Sequence, residues 1–271
     1  MADYSLEDKT LWLFDVDNTL ILDVDHPTVF SDALNLWNRL LELEKTNAIL
    51  TNVGRLSSRQ IYNAVSGAGY SVDLDKTFSA GAAAAAYIAN QQTGARCFVI
   101  GEGGAQEDFI VKGLDVTNNP PVDFVAIGAD RGMTFAELNF ATKMVKDGAG
   151  LICISGSRDY PGIYLGSEDV YIGERSIVAA IEDATGVEAV IVGKPLPEIF
   201  HATVELLGFS ITDSVMVGDN PQSDIAGGRA AGMMTILVDR GKENIVPFDS
   251  GDLDKTPHMH VKSLDEIVKL F

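Results

Sequence analysis

The stretch from Leu11 to Asp17 constrains the fold more than any other part of this sequence. Four consecutive apolar residues, Leu11 to Phe14, run directly into Asp15 and Asp17. An uninterrupted apolar run of this length predicts a strand buried on both faces, as in a parallel sheet. In an open parallel sheet the carboxyl ends of the strands form the ligand crevice, so we expect both carboxylates to project into a site. Three other acid pairs at the same spacing lack the apolar run and are typical of solvated turns: Asp23 with Asp25, Asp73 with Asp75, and Asp252 with Asp254.

Strand-like and helix-like patterns alternate along the chain. After the first strand, Ala33 to Leu43 carries apolar residues at helical spacing, and Ala48 to Thr51 is the next short apolar run. This alternation predicts a parallel sheet with right-handed crossovers. A second alternating series, from Arg96 to Gly193, is long enough to form a domain of its own, and a helical pattern from Ser263 to Phe271 ends the chain.

Charge and hydropathy exclude several classes of partner. The 39 acidic and 20 basic residues give a formal net charge of −19, which opposes binding to nucleic acid or to an anionic membrane. No apolar run reaches the roughly 18 residues that a membrane span needs. The polar, acidic N-terminus does not resemble a secretory leader, and the isolated Cys97 and Cys153 are typical of buried free thiols. We therefore expect a cytoplasmic protein, with a homodimer left open.

Polar residues follow three further apolar runs. Thr51 and Asn52 follow one, Lys194 follows Val190 to Val192, and Asp219 and Asp224 follow Val215 to Val217. Each alone is an ordinary turn, but together they bring carboxylates and a lysine to the ends of four predicted strands. Carboxylates gathered within about 4 to 6 Å repel one another by about 4 kcal/mol per pair at an effective dielectric constant near 20. A bound cation would relieve this repulsion, and an all-oxygen site suits Mg²⁺.

In this order and context, the four motifs resemble those of the haloacid dehalogenase-like hydrolases. They are Asp15-x-Asp17-x-Thr19, Thr51-Asn52, Gly193-Lys194-Pro195 and Gly218-Asp219 with Asp224. The long insertion between the second and third motifs resembles subclass IIA, the p-nitrophenyl phosphatase and sugar-phosphatase-like branch. The resemblance implies an α/β fold: a Rossmann-like, doubly wound parallel-sheet core in residues 1–80 and 190–271, with an α/β cap domain inserted at 81–189.

The resemblance also implies a role for each matching residue. Asp15 would be the nucleophile, forming an aspartyl-phosphate, and Asp17 the acid that protonates the leaving alcohol and then activates water. The Asp15 and Asp219 carboxylates and the Asp17 backbone carbonyl would bind Mg²⁺, with Asp224 orienting them. Three further residues have implied roles: the Thr51 hydroxyl and the Asn52 N–H would hold phosphoryl oxygens, and Lys194 would offset the charge of nucleophile and phosphate.

The function predicted on this basis is Mg²⁺-dependent hydrolysis of a small phosphorylated metabolite, such as a sugar phosphate or nucleotide, with p-nitrophenyl phosphate as a generic substrate. Dehalogenation is disfavoured because it does not need the acid that Asp17 supplies. The alternative from another class is a catalytically idle regulator that binds a phosphorylated metabolite in the same cleft. The sequence departs from the family at Asn18, where a glycine is common, and at Val53-Gly54, where further polar residues are frequent.

Overall fold

The computed structural model describes residues 5–164, 167–241 and 254–271. The chain divides into two compact units. The first unit contains Met1–Thr51, Arg59–Phe78 and Lys194–Phe271, and the second contains Asn52–Ser58 and Ser79–Gly193.

Strands and helices alternate through most of the described residues. The strands are β1 (Leu11–Phe14), β2 (Thr46–Thr51), β3 (Thr77–Ser79), β4 (Arg96–Ile100), β5 (Asp115–Val116), β6 (Phe124–Ile127), β7 (Gly150–Cys153), β8 (Asp159–Tyr164), β9 (Ser167–Ile172), β10 (Val190–Ile191), β11 (Ser214–Gly218), β12 (Met234–Val238) and β13 (Met259–Val261). The helices are α1 (Ser31–Glu42), α2 (Ser58–Gly67), α3 (Ala80–Gln91), α4 (Gly104–Val111), α5 (Phe135–Lys146), α6 (Glu174–Thr185), α7 (Pro197–Leu206), α8 (Ala226–Ala230) and α9 (Asp265–Val268). Among these described helices, none combines the length and apolar character that crossing a bilayer requires.

The first unit is built on a six-stranded sheet in the order β13-β12-β11-β1-β2-β3. Strand β1 lies in its interior and pairs in parallel with both β2 and β11, and all four of its residues are buried. This confirms the predicted parallel-sheet α/β fold. Phe14 is in register with Ile49 of β2 and Val217 of β11, so the residues that follow these three strands emerge at the same edge of the sheet.

Helix α1 covers one face of this sheet, as its apolar spacing predicts. Its buried side includes Ala33, Leu36, Trp37 and Leu40, which recur at intervals of three and four residues. The Trp37 ring centroid lies 5.2 Å from that of Phe14, and its indole N–H donates to the Ser71 carbonyl oxygen at 3.1 Å. The helix therefore supports the strand that carries Asp15 and Asp17.

The second unit contains a five-stranded sheet in the order β10-β7-β6-β4-β5, in which all the pairs are parallel. One face packs against α5 and α6, through residues such as Met144 and Val178. The other face packs against the alanine-rich α3 and against α4. Cys97 and Cys153 are buried free thiols, as predicted.

Three elements of the structure differ from the sequence predictions. Strand β10 pairs with β7 of the second sheet, although the core segment was predicted to resume at residue 190. Strands β8 and β9 form a separate antiparallel hairpin that includes Pro161 and Gly162, residues that are uncommon in strands. The terminal helix is only Asp265–Val268, and the short strand β13 precedes it.

Candidate active site

A tight loop after β1 places the first two acids. Asp15 N–H donates to the Val217 carbonyl oxygen at 3.0 Å, which joins the end of β1 to β11. The Val16 carbonyl oxygen then accepts from the N–H groups of the three residues that follow Asn18. Asn18 itself has a φ of 56°. Asparagine is among the non-glycine residues that adopt this left-handed conformation most readily, which explains how it replaces the glycine common in the family.

The Lys194 side chain is almost fully buried, with 1% exposure. Its ammonium group donates to Asp15 Oδ1 at 2.8 Å, to Asp224 Oδ1 at 2.6 Å and to the Leu50 carbonyl oxygen at 2.9 Å. An ammonium has three donors, so this group is fully hydrogen bonded by three separate segments. Burial alone would lower the pKa of Lys194, but the charges of Asp15 and Asp224 outweigh that effect and raise it. Lys194 therefore stays cationic.

Asp224 is held on a π-helical turn, Pro221–Ile225, directly after β11. Its Oδ2 accepts the Asn220 N–H at 3.1 Å, while Oδ1 accepts from Lys194. A Cβ atom at Gly218 would lie only 2.2 Å from Asp224 Oδ2, so this close approach requires glycine. Burial raises the pKa of Asp224 and the nearby Asp15 charge adds to the rise, while Lys194 opposes it.

Three carboxylates gather at this edge of the first unit. Asp15, Asp219 and Asp224 each offer an oxygen, and these atoms all lie within 4.8 Å of one another. With all three ionised, Lys194 leaves a formal charge of −2, the charge that one divalent cation balances. Any two of these carboxylates repel each other by about 3 kcal/mol at this separation and an effective dielectric constant near 20. Both Asp224 oxygens accept N–H bonds, so Asp15 and Asp219 are better placed to hold a hard cation such as Mg²⁺.

The remaining predicted residues lie in two places. Asp17 is partly buried in the loop after β1, and its backbone forms a bridge with that of Ile21. Thr51 is buried at the end of β2, next to Leu50, whose carbonyl oxygen binds Lys194. Asn52 is the first residue of the second unit, whereas the other predicted site residues belong to the first unit. Lys194 follows β10, which is a strand of the second sheet. Of the four strands whose ends were predicted to carry the site, three therefore belong to the first sheet: β1, β2 and β11.

A cavity of about 220 Å³ in the first unit borders Asp219. Asp239, Arg240 and His260 are among its other lining residues. Arg240 was not among the predicted site residues, although it follows the end of β12 and so has the same strand-end position that marked Asp15.

The second unit holds a buried acid that the sequence patterns also missed. Glu174 is 2% exposed at the start of α6 and accepts hydrogen bonds from the Ser155 side chain and the Ala129 N–H. Burial raises the pKa of its carboxyl to about 7, although these hydrogen bonds counteract the rise. Elsewhere in this unit Arg131 forms an ion pair with Glu102. The backbone N–H and the Nη2 group of Arg131 both donate hydrogen bonds to the Glu102 carboxylate.

We expect Glu174→Gln to make stability less dependent on pH. An acid with a raised folded-state pKa favours the folded state most below its ordinary value of 4.5, and this contribution is lost as pH rises through about 7. The free energy of unfolding of the parent should therefore fall between pH 5 and pH 8 by up to about 3 kcal/mol more than that of the variant. Urea denaturation at several pH values, with the exposed Glu188→Gln as control, measures this. Parallel curves for the parent and Glu174→Gln would contradict the expectation.

Known proteins resemble this chain over most of its length. A family model described as haloacid dehalogenase-like hydrolase matches residues 12–115, and one described as HAD-hydrolase-like matches 191–267. The chain is 27% identical over 261 residues to an acid sugar phosphatase of Staphylococcus aureus (strain MRSA252), covering 95% of this chain and 96% of the relative. It is 27% identical over 258 residues to the 5'-nucleotidase YutF of Bacillus subtilis (strain 168), covering 94% and 96%.

The fold is also similar to that of a solved structure. The p-nitrophenyl phosphatase from Archaeoglobus fulgidus superimposes with a TM-score of 0.85 at 26% identity, covering 97% of this chain and 100% of that one. The similarity therefore extends over both units.

Proposed function

We propose that this chain hydrolyses a small phosphorylated metabolite through an aspartyl-phosphate on Asp15. The premise is that the chain belongs to the haloacid dehalogenase-like hydrolases of subclass IIA and is a phosphoric monoester hydrolase. The observation that carries the proposal is the contact between buried Lys194 and Asp15, beside Asp219 and Asp224. Sugar phosphates and nucleotides are the substrate classes to test first, since the relatives are named for them.

Asp15 supplies the nucleophile in this proposal. Its side chain is 13% exposed, and only Oδ1 is bonded to Lys194. The Lys194 ammonium fixes the direction of the Asp15 carboxylate through its bond to Oδ1, so that the second oxygen can attack phosphorus. The bond from phosphorus to the leaving oxygen breaks as the new one forms, leaving the phosphoryl group on Asp15.

Asp17 moves the protons. It donates a proton to the leaving oxygen in the first step. In the second step it accepts a proton from the water that attacks phosphorus, while the bond from phosphorus to the Asp15 oxygen breaks and inorganic phosphate leaves. The Thr51 hydroxyl and the Asn52 N–H are assigned to the phosphoryl oxygens. Asp15, Asp219 and the Asp17 carbonyl would hold Mg²⁺, which supplies charge neutralisation for the phosphoryl group when bound. In this proposal the second unit is the cap domain that the resemblance implies.

We expect chelation to stop phosphate release and added Mg²⁺ to restore it. Lys194 supplies one positive charge against three carboxylates, so a dianionic phosphate group cannot approach them without a further cation. The measurement is released phosphate from a panel of sugar phosphates, nucleotides and p-nitrophenyl phosphate, with and without excess chelator. Full activity in excess chelator would refute the Mg²⁺ dependence. Absence of turnover with every phosphomonoester would favour the metabolite-binding regulator.

We expect Asp17→Asn to distinguish substrates by their leaving groups. An alkyl alcohol needs a proton as it leaves, whereas p-nitrophenolate is stable without one, so the variant should lose about 100-fold or more in kcat on alkyl phosphates and much less on the aryl ester. The variant should still bind Mg²⁺, because the proposed ligand atom is the backbone carbonyl. Loss of Mg²⁺ binding would instead identify the side chain as the ligand.

A further inference from the structure

Arg240 binds the loop that carries Asp17. Its Nε donates to the Asn18 carbonyl oxygen at 3.3 Å, and its Nη2 donates to the Thr19 carbonyl oxygen at 3.2 Å. These are the carbonyls of the two residues directly after Asp17. One planar guanidinium thus fixes two successive peptide groups of the loop, a geometry that its fork of donors suits.

The remaining contacts of Arg240 anchor it to the body of the first unit. Its Nη1 donates to Asp32 Oδ2 at 2.9 Å and to Oδ1 at 3.1 Å. The centre of the guanidinium lies 4.1 Å from the centroid of the Phe30 ring, a cation–π contact. Both charged side chains are only 12% exposed, so the pair is poorly screened by water.

Asp32 in turn is fixed by other segments. Its carboxylate accepts from the Leu264 N–H at 2.8 Å, the Ser263 hydroxyl at 3.1 Å and the Ala33 N–H at 2.9 Å. Burial raises the pKa of Asp32, but the bonds from Arg240 and Leu264 outweigh it and hold the pKa below its ordinary value. The Asp32–Arg240 pair therefore joins the start of α1, the residues after β12 and the segment after β13.

Backbone hydrogen bonds close this loop, and Arg240 adds side-chain contacts to it. Asn18 has a positive φ, and the Thr19 hydroxyl oxygen is buried with no hydrogen-bond partner among the described residues. The side chain of Thr19 thus cannot hold the loop in place through a hydrogen bond. The contacts from Arg240 replace water at two carbonyls of a strained segment whose first residue is next to Asp17.

We propose that Arg240 is a positioning residue that holds Asp17 in the orientation needed for proton transfer, with Asp32 as its anchor. This inference rests on the proposed function, in which Asp17 is the acid. It assigns Arg240 no contact with the substrate. It follows that loss of Arg240 should mimic, in weaker form, loss of the acid itself and not loss of the nucleophile.

The test compares Arg240→Ala, Arg240→Lys and Asp32→Asn on two substrates, an alkyl phosphate and p-nitrophenyl phosphate. Because small displacements of a catalytic group cost up to about 100-fold, Arg240→Ala should lower kcat on the alkyl phosphate about 10- to 100-fold, with KM little changed. The rate on p-nitrophenyl phosphate should fall less than about threefold, since its leaving group needs no proton. Arg240→Lys keeps the charge but not the planar fork, so its kcat on the alkyl phosphate should lie between those of the parent and Arg240→Ala. Asp32→Asn should likewise lose more activity on the alkyl phosphate than on p-nitrophenyl phosphate.

Two references make every outcome decisive. Arg39→Ala removes another partly buried arginine of the first unit, bonded to Glu42 and the Phe271 carbonyl oxygen, and should leave the substrate ratio unchanged. Asp17→Asn sets the full leaving-group effect. Suppose that Asp17→Asn is selective but that kcat of Arg240→Ala falls equally on both substrates or does not fall. That result would overturn the role of Arg240 alone. Equal losses in Asp17→Asn would refute the acid assignment, and the inference about Arg240 with it.

Discussion

Asp15→Asn is expected to lower phosphate release at least about a thousandfold on every substrate, aryl phosphates included, because an amide cannot form the aspartyl-phosphate. The loss should be in kcat, and no leaving group should rescue it. This separates the nucleophile from Asp17 and Arg240, whose variants are selective for leaving groups. The measurement is kcat for several phosphomonoesters in the presence of Mg²⁺.

The fold of Asp15→Asn should stay intact. Asparagine has nearly the volume of aspartate, and its side-chain oxygen can still accept from Lys194 Nζ, which lies 2.8 Å from Asp15 Oδ1. One fewer negative charge also reduces the repulsion among the three clustered carboxylates. The exposed Asp75→Asn is the matched control and should keep full activity. Activity of Asp15→Asn within tenfold of the parent would refute the nucleophile assignment.

The sequence was sufficient to predict the strand that organises the first unit. An apolar run that enters two acids indicates a strand buried on both faces, and β1 lies between β2 and β11 as this requires. The parallel second sheet followed from the same alternation. In both cases the burial of whole strands leaves a direct mark on the sequence, because each residue must be apolar.

Other features leave no such mark. The ligands of Arg240 on the loop after β1 are backbone carbonyl oxygens, which every residue carries, so no residue type at positions 18 or 19 predicts the contact. The partners of Lys194 come from three segments far apart in the chain. Strand β13 contains only three residues, two of them exposed or partly exposed, and its pattern is too short to distinguish from a loop.

The buried lysine leads to the prediction with the largest effect on stability. Lys194 carries the one positive charge bonded to Asp15 and Asp224 in the described structure, and Asp224 is fully buried. Lys194→Met keeps an unbranched apolar stem that is one atom shorter but leaves two carboxylates uncompensated. Removing one partner of a buried ion pair costs about 3 to 5 kcal/mol, so the free energy of unfolding should fall by about this amount at pH 8.

The surface pair of Lys76 and Asp73 provides the matched control. Their charged atoms are 2.8 Å apart, as in the Lys194–Asp15 pair, but the side chains are 35% and 63% exposed. An exposed pair contributes about 0 to 1 kcal/mol, so Lys76→Met should change the free energy of unfolding by no more than this. Equal destabilisation by the two substitutions would contradict the role assigned to burial.

The double variant Lys194→Met with Asp224→Asn separates stability from chemistry. Neutralising Asp224 removes the buried charge that Lys194 compensates, and asparagine can still accept from the Asn220 N–H that binds Asp224 Oδ2. We therefore expect the double variant to recover most of the lost stability while phosphate release stays low, because Asp15 still lacks its cation. Acidification should likewise reduce the destabilisation of Lys194→Met, since the pKa of Asp224 is already raised by burial and rises further without Lys194. Urea denaturation between pH 5 and pH 8, with phosphate release in parallel, tests both; recovered activity in the double variant would show that Lys194 serves only to stabilise the fold.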